Sequence, residues 1–135
     1  MPRVSLAAAS RFHGHLGPWL VLGLRAGEHA ARVLKASPFE IKATVWCGSR
    51  PPFSCFLDGV QLGSGCTLGK ANIRHIPSSG SCRVTFRAPS GSLTLRLRPE
   101  LAAELAAVSA EEADFFGRQL HRRPISGLFL ISRRG

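Results

Sequence analysis

A chain of 135 residues is long enough for one domain with its own hydrophobic core. Its hydrophobic content of 44% and charged content of 19% exclude an intrinsically disordered chain. The formal net charge of +10, from 18 Lys and Arg against eight Asp and Glu, favours polyanionic partners; the aromatic groups that stack bases in single-strand binders are sparse, so nucleic acid is not the expected partner.

The first ten residues, MPRVSLAAAS, hold one Arg and a brief apolar patch, too little for a secretory signal. Pro18–Leu24 is the longest apolar run and falls far short of the roughly 20 residues of a membrane helix. The expectation is a single cytoplasmic domain over residues 1–135, without a membrane partner. Gly17-Pro18 predicts a helix start, because proline suits the first turn. Leu20, Leu24, Gly27, Ala31 and Leu34 then recur at helical spacing, and ASPFE at 36–40 ends the helix. Gly23 and Gly27 leave a smooth stripe where another backbone can approach closely.

Residues 41–47 alternate, with Ile41, Ala43, Val45 and Cys47 on one face of a strand. After the connection GSRPP, residues 53–66 read as a shorter helix, and TLGKANIRHI as loop and strand. SCRVTFRAPSGSLTLRLRP predicts a hairpin. Cys82, Val84, Phe86 and Ala88 face Leu93, Leu95 and Leu97, while Arg83, Arg87, Arg96 and Arg98 form a basic outer face. PELAAELAAV and SAEEADFFGRQLHRR are helical, Ser109 and Glu112 forming a capping box for the second. Pro124 ends the helical region, and SGLFLIS reads as a last strand. The order α-β-α-β-β-β-α-α-β is an α+β pattern with a mixed sheet.

Four cysteines, Cys47, Cys55, Cys66 and Cys82, include no CxxC pair, which excludes zinc-ribbon spacing. Cys47 and Cys82 fall on apolar strand faces and read as core. His29 and His121 have no ligand-like neighbours; His121 is placed to favour a helix C-terminus as a cation. His75 remains open. His13, His15, Cys55, Asp58 and Cys66 are left as candidates for a metal site, a mixture of imidazole, thiolate and carboxylate that suits zinc or another divalent transition metal. On a continuous helix Cys55 and Cys66 would stand about 16 Å apart. Either the helix breaks at Gly63 or Gly65, or only one cysteine is a ligand. GSGCTLGKA at 63–71 imitates a phosphate-binding P-loop, but Ser64 stands where glycine is needed and Ala71 where Ser or Thr is needed.

FHGHLGPWLVLGLRAG and CFLDGVQLGSGCTLGKANI together resemble the small proteins related to the accessory subunit of formylmethanofuran dehydrogenase. His13, Gly14, His15, Cys55, Asp58, Gln61, Gly65, Cys66, Thr67, Gly69, Lys70 and Asn72 match that family's two motifs. The resemblance implies an α+β fold with a mixed four-stranded sheet, helices packed on one face, similar to a glyceraldehyde-phosphate dehydrogenase catalytic domain. It implies a metal at His13, His15, Cys55 and Cys66, zinc being the expected ion, with Asp58, Gln61, Thr67 and Lys70 binding a ligand. It also implies a homodimer and an accessory place beside a larger oxidoreductase, a molybdenum or tungsten enzyme of one-carbon metabolism in methanogens. This chain departs from the family at Gly17, where cysteine is usual, at Trp19, where glycine is usual, and at Gly59 and Ala71, where Ala and Gly are usual. Two other readings stay open. One is a small thiol-dependent enzyme with Cys55 or Cys66 as nucleophile, His13 or His15 as base and Lys70 holding an anion. The other is a degenerate ligand-binding or interaction domain.

Overall fold

Ser5 caps a helix where the sequence suggests only an N-terminal arm. In the computed structural model, which describes residues 3–135, α1 spans Leu6–His13. The Ser5 hydroxyl accepts from the Ala8 amide at 3.0 Å, and Gly14 closes the helix at φ 113°, a left-handed conformation that favours glycine. Pro18 then opens α2 (Pro18–Leu34), in which Leu20 to Leu24 are all buried. A helix buried through five consecutive residues is central rather than peripheral. It packs against α3 (Cys55–Ser64), against α5 (Ala113–Arg122) and against the sheet.

β1 (Lys42–Cys47) pairs in parallel with β2 (Ile73–Pro77), and α3 lies in the crossover that a parallel pair requires. β1 also pairs antiparallel with β3 (Arg83–Ala88), which turns through Pro89-Ser90 into β4 (Gly91–Leu97). β5 (Phe129–Arg134) joins β4 at the edge. The sheet therefore has five strands in the order β2-β1-β3-β4-β5, one more than the family resemblance implied. The C-terminal strand, expected from SGLFLIS, runs antiparallel to β4 from the Leu97–Phe129 pair to the Ser92–Arg134 pair. Between β4 and β5 come α4 (Pro99–Ala106), a 3-10 segment at Ala110–Glu112, α5, and a single turn, α6 (Ile125–Leu128). Both halves of the expected Ser109–Glu112 capping box are formed.

Helices cover one sheet face, where Ala43, Val45, Cys47, Val84, Phe86, Leu93, Leu95 and Leu97 are buried. Cys82 is core, as its strand face predicted. The other face carries Thr44, Trp46, Arg83, Thr85, Thr94 and Arg96 and stays open. Arg98 lies past the end of β4 and turns to the Ser126 carbonyl and Glu100. His121 does not act as the expected helix-end cation. Burial and the Arg25 charge push its pKa down, and Arg25 itself donates to the carbonyls of Leu120 and His121 at 2.8 and 3.0 Å.

The α2–α3 contact is backbone on backbone. A β-carbon on Gly27 would lie 2.6 Å from the Ser64 amide nitrogen, one on Gly63 2.9 Å from that of Glu28, and one on Gly59 would collide with the Leu20 carbonyl. Glycine-to-alanine in an open helix gains up to about 1 kcal/mol. At Gly59 the sign is reversed: Gly59→Ala is expected to lose about 1–3 kcal/mol by overpacking. Urea unfolding reads this, with Gly69→Ala, whose β-carbon meets nothing within 4 Å, as the neutral control. An unchanged midpoint for Gly59→Ala would mean that the helices separate freely.

Candidate functional site

His13 is the last residue of α1, so it closes one helix as well as preceding the next. Its Nδ1–H donates to Asp58 Oδ2 at 2.6 Å, across 45 residues of sequence. Asp58 sits on α3 one residue before Gly59, so the helix packing that brings α3 onto α2 also carries the carboxylate to the histidine. A carboxylate on one ring nitrogen fixes the tautomer and leaves Nε2 to meet a ligand, the arrangement common behind metal-binding histidines. The His15 ring stands edge-on to His13, with centroids 5.0 Å apart.

His13 and Asp58 border a groove of about 410 Å³ whose lining also includes Cys55, Gln61, Leu68 and His75, while His15 is exposed outside that lining. Leu68 is 81% exposed at its rim. His75 Nε2–H donates to the Cys47 carbonyl at 3.1 Å, so this ring is tied to the strand beside it. Gln61 donates weakly to Asp58 Oδ1 at 3.5 Å. A larger cavity, about 570 Å³ and bordered by Arg3, Glu28, Arg32 and Lys35, holds none of the candidate side chains.

The candidates do not all converge. The helix ends at Gly65 (φ 80°), one of the two breaks foreseen, yet Cys66 then turns into the core. Its amide donates to the Ser64 hydroxyl at 3.0 Å and its thiol to the Ile41 carbonyl at 3.5 Å. Among the described residues no three His, Cys, Asp or Glu side chains are grouped closely enough to hold a metal. Gly17 is part of the reason. Its backbone is extended, and a β-carbon there would sit 3.5 Å from the His15 ring, in ordinary contact. A side chain at 17 would therefore start beside the His15 ring.

Thr67, Lys70 and Asn72 serve the loop itself. Thr67 N–H donates to Asn72 Oδ1 at 2.8 Å, Leu68 N–H to Gln61 Oε1 at 3.0 Å, and Lys70 N–H to Thr67 Oγ1 at 3.2 Å. Lys70 Nζ also donates to Thr67 Oγ1 at 2.8 Å, and the Asn72 amide ties the loop to the carbonyls of Pro38 and Ile41. The amides that a P-loop would turn toward phosphate are thus occupied. Ala71, where the resemblance implies glycine, takes the left-handed conformation at φ 59°, which costs a residue with a β-carbon about 1–2 kcal/mol. Trp19, the other departure, meets the Phe53 ring edge-on at 5.3 Å.

No thiol is activated. Burial, and next the Asp58 charge, pushes the Cys55 thiol up. Burial also raises Cys66, takes Cys47 up to about 11 and takes Cys82 well above the usual thiol range. Nucleophilic cysteines need the opposite shift. All four thiols are free.

Residues 12–124 match the family described as FmdE, molybdenum formylmethanofuran dehydrogenase operon. A protein of Archaeoglobus fulgidus named "Probable S-adenosyl-L-methionine-binding protein" is 37% identical over an alignment of 78 residues, the match covering 53% of this chain and 20% of that protein. The chain thus spans about a fifth of that relative's length.

Alkylation near neutral pH, followed by mass spectrometry, is expected to modify all four thiols far more slowly than free cysteine. Asp58→Asn removes the charge that opposes the Cys55 thiolate, so Cys55 should then react a few-fold faster. A fast-reacting Cys55 in the unaltered protein would contradict the electrostatics of the groove.

Proposed function

The chain belongs to the FmdE family, whose match covers residues 12–124, and from that premise we propose that it is an accessory protein holding a cofactor-sized ligand in the groove beside His13. The observation that carries this reading is the His13–Asp58 hydrogen bond, which orients a ring nitrogen at a groove of about 410 Å³. That volume falls within the range of small-molecule sites. The name of the archaeal relative supports an organic ligand. Gln61 and Asp58 supply further polar contacts; Thr67 and Lys70 act through the loop they brace.

The residues present do not make a complete zinc site. A structural zinc takes four protein ligands and a catalytic one three. Among the described residues the two imidazoles stand together with no third donor grouped beside them, Cys66 is turned into the core, and position 17 offers no donor. A metal is the second reading, favoured by the carboxylate behind His13: the ion would rest on His13 and His15 and take its other ligands from outside this chain. The raised thiols give the thiol-enzyme alternative no support. In the proposed role the protein works in the cytoplasm as a homodimer beside a larger oxidoreductase, a place that the operon in the family's description supports.

Two probes test the role by thermal shift, S-adenosyl-L-methionine and zinc. A ligand of the native state raises Tm by mass action. The expected result is a rise with S-adenosyl-L-methionine that His13→Ala abolishes; no shift with either probe, or an equal shift in His13→Ala, would overturn the reading. Elemental analysis of protein made without an affinity tag should find zinc well below one equivalent. Gly17→Cys should raise it toward one equivalent; no gain would mean that position 17 does not face the same ion as His15.

A further inference from the structure

We propose that the open face of the sheet binds single-stranded nucleic acid. All eight carboxylates of the chain lie on helices or loops, and none on a strand. The register puts Lys42, Arg74, Arg83, Arg87, Arg96 and Arg134 on the uncovered face. None of the six is among the ion pairs of the described residues, which join His13 to Asp58, Arg98 to Glu100, Arg118 to Asp114 and Arg123 to Glu104.

Two pairs of like charges are directly opposed across strands, Lys42 with Arg87 and Arg83 with Arg96. Such pairs destabilise a sheet. Same-face side chains in a sheet stand about 5–7 Å apart, less than the Debye length of about 8 Å at physiological salt, so the repulsion is not screened away. A chain of phosphates would relieve it. A second copy of the face would double it, which argues against face-to-face self-association.

The face also offers what bases use. Trp46 lies on it near the end of β1, with the Arg83 guanidinium stacked 4.0 Å from the ring centroid. Both are planar groups on which a base can stack. Thr44, Thr85, Thr94 and Ser132 form a row of hydroxyls across four strands, with Thr85 and Thr94 hydrogen-bonded at 2.8 Å. An acidic protein partner would need the charge alone, whereas the stacking pair and hydroxyl row favour bases. The sequence shows this surface only as a two-stranded ribbon with four arginines. The fold widens it to five strands and brings the aromatic ring into it.

The test uses the full chain and fluorescein-labelled single strands of about 12 nucleotides, within the site sizes of sheet-based binders. Anisotropy should report RNA or DNA binding that weakens steeply with salt. Arg87→Gln with Arg96→Gln should lower the slope of log K against log salt by about 1.4, since each single-strand phosphate contact contributes about 0.7. The same double variant should be as stable as the parent or more so, because it removes like-charge pairs; a purely structural role would lower Tm instead. Arg118→Gln with Arg122→Gln, on α5, should leave the slope unchanged. In a Trp19→Phe background the bound strand should quench Trp46 fluorescence. An RNA preference would assign ribose contacts to the hydroxyl row, and equal binding of DNA supports the face equally. Three results would overturn the proposal: equal loss from the α5 variant, displacement of the strand by polyglutamate at matched charge, or binding of a duplex as tight as of the single strand.

Discussion

No side chain separates α2 from α3 along Gly23, Gly27, Gly59 and Gly63. Each helix lays its glycines against the other's peptide groups, closer than any residue with a β-carbon permits. The rest of the molecule follows from that approach. α3 is the crossover between the parallel strands β1 and β2, so its depth against α2 sets where β2 joins the sheet. Asp58 is covalently next to Gly59, and Cys55 lies one turn earlier. The groove is therefore built outward from the tightest contact in the protein. A methyl group at 59 would strike the Leu20 carbonyl, so this chain's approach depends on glycine there.

Much of this was legible in the chain. The apolar periodicity of α2, the alternation of β1 and of the β3–β4 hairpin, and the Ser109–Glu112 box are local patterns, and local patterns survive folding. The stripe of Gly23 and Gly27 announced a close approach, though not its partner. α1 is hard to read because LAAASRFH is only weakly patterned; its signals are Ser5 before and Gly14 after. His121 shows where local reasoning stops. Its position favours a cation, but Arg25, 96 residues away, reaches the same carbonyls and removes that role.

The candidate site was half legible for a similar reason. Spacing brought Cys55 and Asp58 to one side of a helix, and the motifs tied them to His13. What spacing could not express was the accounting of backbone hydrogen bonds. Cys66, Thr67, Lys70 and Asn72 look like chemistry in sequence because they are polar or nucleophilic. In the fold Thr67 and Asn72 satisfy backbone amides and carbonyls, the Cys66 thiol meets the Ile41 carbonyl, and Lys70 holds the Thr67 hydroxyl; backbone groups must find partners wherever the chain turns. The active-looking half of the second motif is thus a brace, and the chemistry narrows to the residues that border open space.

Gly17 carries one more consequence. A β-carbon at position 17 would fit beside the His15 ring in ordinary contact, and the core is built from other residues entirely. In small zinc domains the metal is the fold, and losing it unfolds the chain. Here Leu20, Phe56, Phe86 and Phe129 fill a core to which position 17 contributes no side chain. A single substitution at position 17 therefore changes the donors beside His15 while leaving the packing of the scaffold as it is.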